Sequence, residues 1–210
     1  MTNTLQKFNN FFSSFKKTEM WERMSIAENS PYHREESVQV HTQMLLDWYL
    51  KERFPVRSDK QNIMTMLACV FHDVGKPVCM IEKFTEARGK HFSFAGHEIV
   101  SARMWIDYAY SDVNQIAELG LSVRDVHNIA FMIEYHLPFG MKDKKLNALF
   151  ESLIHRDDIE SEDYLQGSLL CSFCDLIYAD QNGRLSDDKQ TKMKDVHKWV
   201  CDFNGLTIDS

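Results

Sequence analysis

One apolar helical run constrains this chain more than anything else in it: Leu67-Ala68-Cys69-Val70-Phe71 leads directly into His72-Asp73-Val74-Gly75-Lys76. Ile63, Met66, Leu67, Val70 and Phe71 recur at helical spacing. Ser58-x-x-Gln61 opens the segment with the pattern of a capping box. Gly75 lets the backbone turn, and Gly75 and Pro77 together stop the helix. A helix of this kind carries an imidazole and a carboxylate inward at its end, where each is costly to bury without a compensating partner. Adjacent ligands of this kind prove little by themselves.

Further groups of the right kind fall on other predicted helices. From about Glu36 to Leu50, Val38, His41, Leu45 and Trp48 share one face, which sets His41 in an apolar stripe. A new helix begins near Gly96, with His97, Val100, Met104 and Tyr108 on one side. Ser122-x-x-Asp125 marks another start, and Val126, Ile129, Ala130 and Ile133 lead in register to His136, before Pro138 and Gly140 end the element. Leu165, Leu169, Phe173 and Leu176 step toward Asp180, a carboxylate in a buried stripe whose charge a metal ion would compensate. A single histidine on an apolar face is more often a satisfied core residue. The set His41, His72, Asp73, His97, His136 and Asp180 is different, because its imidazoles and carboxylates suit Zn, Fe, Mn, Ni or Co rather than Ca or a structural thiolate site. His127, His155 and His197 lack such company and read as surface or helix-end residues.

Few segments alternate like strands, so the expected fold is all-α, a helical bundle. Phe8, Phe11, Phe12 and Phe15 define a short amphipathic N-terminal helix that docks on its own domain, and Asn29-Ser30-Pro31 breaks the chain after it. Residues 80–95 lack a sustained period and read as a loop or small hairpin. With Lys83, Arg88, Lys90 and His91, set between two ligand-bearing helices, this segment is a candidate substrate lid. A weaker helical segment covers about 144–155, Gln181-Asn182-Gly183 turns the chain, and Met193, Val196, Val200 and Phe203 define a final amphipathic helix. The expected organisation is an N-terminal helix and linker over 1–30, the metal-binding domain over 31–185, and a C-terminal helix over 186–210 packing on the same domain.

With 210 residues and 44% hydrophobic content the chain can build one substantial core. A net charge of −7 gives no diffuse positive field for a long nucleic acid, so a small phosphorylated substrate held by local cations is expected instead. No apolar run reaches the roughly 20 residues of a membrane span, and the polar start is unlike a secretory signal. No membrane partner and a cytoplasmic location are expected. Five cysteines are an odd set without an export signal and are expected to be reduced, with Cys171-x-x-Cys174 serving core packing.

Pro31-Tyr32-His33-Arg34-Glu35 leading into His41-Thr42, then His72-Asp73-Val74-Gly75-Lys76, Gly96-His97-Glu98, His136 and Ala179-Asp180-Gln181-Asn182-Gly183-Arg184 together resemble the HD-domain superfamily of metal-dependent phosphohydrolases over roughly residues 31–184. The motifs are most similar to the HD domain of bacterial tRNA CCA-adding enzymes, without their nucleotidyltransferase part. The resemblance implies that His41, His72, Asp73 and Asp180 bind a first metal ion, while His97 and His136 bind a second with Asp73 bridging; in some HD enzymes the later His positions contact phosphate instead. It implies catalytic roles for Asp73 and Lys76, and substrate binding by Lys76, His33 and Arg184. The cofactor would be one or two divalent ions (Fe, Mn, Ni, Co or Zn, with Mg also allowed). The implied reaction is hydrolysis of a phosphomonoester or phosphodiester of a nucleotide, cyclic nucleotide or RNA end through a metal-activated water. A mixed-valent di-iron oxygenase cleaving a C–C or C–P bond shares the ligand order, and a nucleotide-binding module without turnover is the third reading. Lys76-Pro77-Val78-Cys79 lacks the acidic pair of guanosine-tetraphosphate hydrolases, and Leu137-Pro138-Phe139-Gly140 lacks the motif of cyclic-dinucleotide phosphodiesterases.

Overall fold

Every residue from Gln61 to Phe71 is buried, so the helix that carries the His-Asp doublet is the central element of the bundle rather than an amphipathic one. A computed structural model of the chain describes residues 3–27, 36–86, 89–138, 143–155 and 169–183. Its elements are α1 (Asn3–Phe15), α2 (Glu19–Arg23), α3 (Val38–Glu52), a 3-10 turn (Phe54–Val56), α4 (Asp59–Phe71), α5 (Lys76–Cys79), strands β1 (Ile81–Thr85) and β2 (Gly89–Ser93), α6 (His97–Ser111), α7 (Val113–Glu118), α8 (Val123–Glu134), α9 (Asp143–His155) and α10 (Leu169–Asn182). Helix α4 packs against α1, α3, α6, α8 and α10, and α6 lies along α8. The protein is an all-α bundle with a His/His/Asp metal-binding cluster between its helices.

Local chemistry explains where the helices begin. Ser58 and Gln61 form the reciprocal capping box of α4, and Ser122 and Asp125 form that of α8. Ser37 caps α3 by accepting from Val40 N. Pro77 does not simply stop α4. It occupies the first turn of α5, where its missing N–H is of no consequence.

The N-terminal phenylalanines are core residues. Phe15 and Phe11 pack tilted against Phe71, with ring centroids 4.7 and 6.4 Å away, and both meet the Tyr108 ring edge-on. Trp21 closes over Phe12 and Phe15. The break at Asn29-Ser30-Pro31 and the helix expected over 186–210 lie outside the described residues.

The segment expected as a loop or small hairpin contains two paired strands, and its Arg88 lies outside the described residues. Strands β1 and β2 pair antiparallel from Ile81↔Ser93 to Thr85↔Gly89, and the hairpin joins Lys76 on α5 to His97 on α6. At the other side of the core, Arg57 donates from Nε and Nη2 to the two Asp175 oxygens at 2.5 and 3.1 Å, tying the segment before α4 to α10. Burial pushes the neighbouring Cys171 thiol up to about 11 and the Cys174 thiol up as well, so neither is the thiolate that redox or zinc chemistry requires. Among the described residues no helix is long and apolar enough to cross a membrane.

Candidate metal centre

The residues of the centre arrive from five directions. His41 and Asp180 sit inside α3 and α10, His97 is the first residue of α6, and His72 and His136 lie just beyond the ends of α4 and α8. His136 is thus not on a helix as the periodicity suggested: α8 ends at Glu134, and the turn after it aims the imidazole inward. All six residues and Lys76 are buried, the most accessible being His97 at 6%.

Asp73 is the hub. Its Oδ2 lies 3.0 Å from His72 Nε2 and 3.7 Å from His41 Nε2, while Oδ1 lies 3.0 Å from His97 Nε2 and 3.8 Å from His136 Nε2. Two groups of metal-ligand type result, His41/His72/Asp73 and Asp73/His97/His136, each with its ligand atoms within 4.8 Å of one another. Asp180 joins the first group, with Oδ1 3.0 Å from His41 Nε2 and 3.8 Å from His72 Nε2. Lys76 Nζ sits 2.7 Å from Asp73 Oδ2 and 5.7 Å from the centre of the Phe94 ring. Burial opposes ionisation of Asp73, yet His72, Lys76 and His97 together hold its carboxyl well below the usual range.

The imidazoles are held in one orientation by main chain. His72 Nδ1 donates to the Cys69 carbonyl at 2.9 Å, His97 Nδ1 to Phe94 at 2.8 Å, His136 Nδ1 to Ile133 at 2.7 Å and His41 Nδ1 to Gly183 at 3.1 Å. A carbonyl only accepts, so each Nδ1 carries a hydrogen and Nε2 is the ring nitrogen turned toward the carboxylates. Burial, with His72 and His97 nearby, lowers His136 to about 3, which makes it neutral at ordinary pH.

The Nε2 atoms therefore converge on the oxygens of Asp73 and Asp180. His72 Nε2, His97 Nε2 and Asp73 Oδ1 are buried without hydrogen-bond partners although they lie in such short contacts. Among the described residues, the buried carboxylates of Asp73 and Asp180 stand beside the buried Lys76 ammonium. Buried carboxylates and buried ligand atoms without partners are what a divalent cation compensates, and the nitrogen and oxygen donors fit a borderline transition metal.

Two glycines set the spacing. A Cβ on Gly75 would lie 2.6 Å from the His97 carbonyl oxygen and 2.8 Å from Ser101 N, and Gly75 N donates to Ser101 Oγ at 2.9 Å. With φ at −79° Gly75 is not needed for the turn itself, so close approach to α6 is its role. A Cβ on Gly183 would lie 2.8 Å from Leu45 Cα, and this contact brings the Gly183 carbonyl to His41.

His33 and Arg184, expected at the substrate phosphate, lie outside the described residues, as does the His197 side chain. His127 is at the surface, where Tyr110 OH lies 3.1 Å from its Nε2. Sequence reasoning missed the carbonyls that orient the rings, although three of them stand three residues before their histidine. It also missed Ser101, and it read Gln181 and Asn182 as a turn, whereas both lie in α10.

Compared with family models, with curated proteins and with solved structures, the chain finds no match in any of the three. The paired His/His/Asp clusters are consistent with an HD-superfamily metal site and with metal-dependent hydrolysis.

Proposed function

We propose that the protein is a metal-dependent phosphohydrolase that cleaves a phosphomonoester or phosphodiester of a nucleotide, cyclic nucleotide or RNA end. The observation that carries this reading is the single carboxylate shared by two His/His/Asp groups, with a buried ammonium 2.7 Å from the same carboxylate. His41, His72, Asp73 and Asp180 would hold one ion and Asp73, His97 and His136 a second. One or two such ions supply Lewis acidity and lower the pKa of water from about 15.7 to near 7.

The chain's own residues perform the rest. The carbonyl-held imidazoles keep Nε2 in a fixed orientation, so the centre needs little reorganisation on binding. Lys76 is a point charge for an anionic oxygen of the substrate and for charge developing on the leaving group. Burial of the centre excludes bulk water and strengthens both effects. The hairpin, attached on one side to Lys76 and on the other to His97, serves as the substrate lid. The net charge of −7 favours short substrates over a long nucleic acid.

Metal analysis of protein purified without added metal, coupled to phosphate release from 2'-, 3'-, 5'- and cyclic nucleotides, tests the proposal. His72→Ala and Asp73→Ala are expected to lose both metal and turnover, whereas Lys76→Ala keeps metal and slows the reaction. Full activity in Asp73→Ala, or an oxygen-dependent product without phosphate release, would reject it.

A further inference from the structure

We infer that Gln181 is a positioning residue of the metal centre, which holds Asp180 with Oδ1 toward His41 and His72; this rests on the metal-centre reading above. Gln181 follows Asp180 near the end of α10 and is fully buried. Its Nε2 donates to Asp180 Oδ2 at 2.9 Å, while Asp180 Oδ1 lies 3.0 Å from His41 Nε2 and 3.8 Å from His72 Nε2. An ionised carboxylate only accepts, so the amide must turn its nitrogen toward Asp180. That bond holds Oδ2, while Oδ1 is directed at the imidazoles.

The other end of the same side chain shows that packing does not account for it. Gln181 Oε1 is buried and has no hydrogen-bond partner. An unpaired amide oxygen in the interior is destabilising, whereas an unbranched thioether of similar size would fill the space without that deficit. A residue serving the core alone gains nothing from the amide here. The amide is useful only through the hydrogen bond it gives to Asp180.

Asp180 depends on this bond in a way that the imidazoles do not. Main-chain carbonyls hold the rings of His41, His72, His97 and His136, and substitution cannot remove those carbonyls. The second oxygen of Asp180 is held by a side chain, which substitution can remove.

The test titrates chelator-treated full-length protein with Co²⁺, comparing the wild type with Gln181→Met and Gln181→Leu. Outer partners of this kind typically contribute about 10–100-fold in metal affinity. The expected result is a loss of that size, with a changed Co²⁺ absorption spectrum and a metal-free Tm equal to or above that of the wild type. Affinity within twofold of the wild type in both variants would overturn the inference and leave the metal-centre reading intact. A metal-free Tm that falls in step with the affinity would also overturn it, by assigning Gln181 a purely structural role. Wild-type protein that binds no Co²⁺ would remove the metal centre, and this inference with it.

Discussion

Gly75→Ala is the substitution whose effect follows most directly from the geometry. The added methyl would meet the His97 carbonyl oxygen at 2.6 Å, Ser101 N at 2.8 Å and Ser101 Oγ at 2.9 Å, against an ordinary contact of 3.4–4 Å. Two of the three atoms are backbone of α6, so no side-chain rotation relieves the overlap. The turn carrying Asp73 and Lys76 must move from α6 by several tenths of an ångström or more, which lengthens the bond from Gly75 N to Ser101 Oγ. Overpacking costs about 1–3 kcal/mol and a weakened buried hydrogen bond about 0.5–1.5 kcal/mol, so a loss of roughly 2–4 kcal/mol is expected. At about 2–4 °C per kcal/mol for a chain of this size, the metal-free Tm should fall by roughly 5–15 °C. Because the same movement draws Asp73 Oδ1 from His97 Nε2, now 3.0 Å away, metal affinity should fall too. Ser101→Ala removes the hydrogen bond without the overlap and should reproduce only the smaller part. Thermal unfolding followed by Co²⁺ titration measures both quantities. A Gly75→Ala protein within 2 °C of the wild type would refute the close-approach reasoning.

Two further outcomes concern the scaffold. Burial opposes ionisation of Asp125, but Lys60 Nζ at 2.8 Å and Ser122 bring its pKa below the ordinary carboxyl value. Because the folded value is the lower one, the unfolded chain binds more protons in this range, and the contribution is complete above about pH 4 and lost as pH falls through the folded value. Denaturant midpoints between pH 6 and 3 should therefore fall less steeply for Asp125→Asn than for the wild type, and parallel profiles would contradict this assignment. Phe15→Ala should destabilise by about 3–5 kcal/mol, since its buried ring packs 4.7 Å from Phe71; a loss under 1 kcal/mol in urea unfolding would show that α1 is peripheral.

Much of the bundle was legible because its signals are local. Both capping boxes stand where Ser-x-x-Gln and Ser-x-x-Asp occur, and the apolar period located α3, α4, α6, α8 and α10. The short helices α2, α5 and α7 were not read, since a few residues carry no resolvable period. The end of α8 was read too late, because the apolar register runs on past Glu134 while the backbone has already left the helix. The candidate ligands could be chosen because imidazole and carboxylate at the inner ends of apolar runs are chemically costly, and that cost shows in a linear sequence.

The sequence by itself determined which elements form and which polar groups must be buried, since periodicity, caps and side-chain chemistry are properties of neighbouring residues. Only the tertiary structure decided that Asp73 stands between two sets of imidazoles, that Nε2 rather than Nδ1 faces it, and that Gln181 holds Asp180. Those outcomes depend on ångström-scale approach between α3, α4, α6 and α10, set by contacts such as Gly75 on Ser101 and Gly183 on Leu45. Distances between segments far apart in the chain arise from packing the whole core, and no local pattern encodes them.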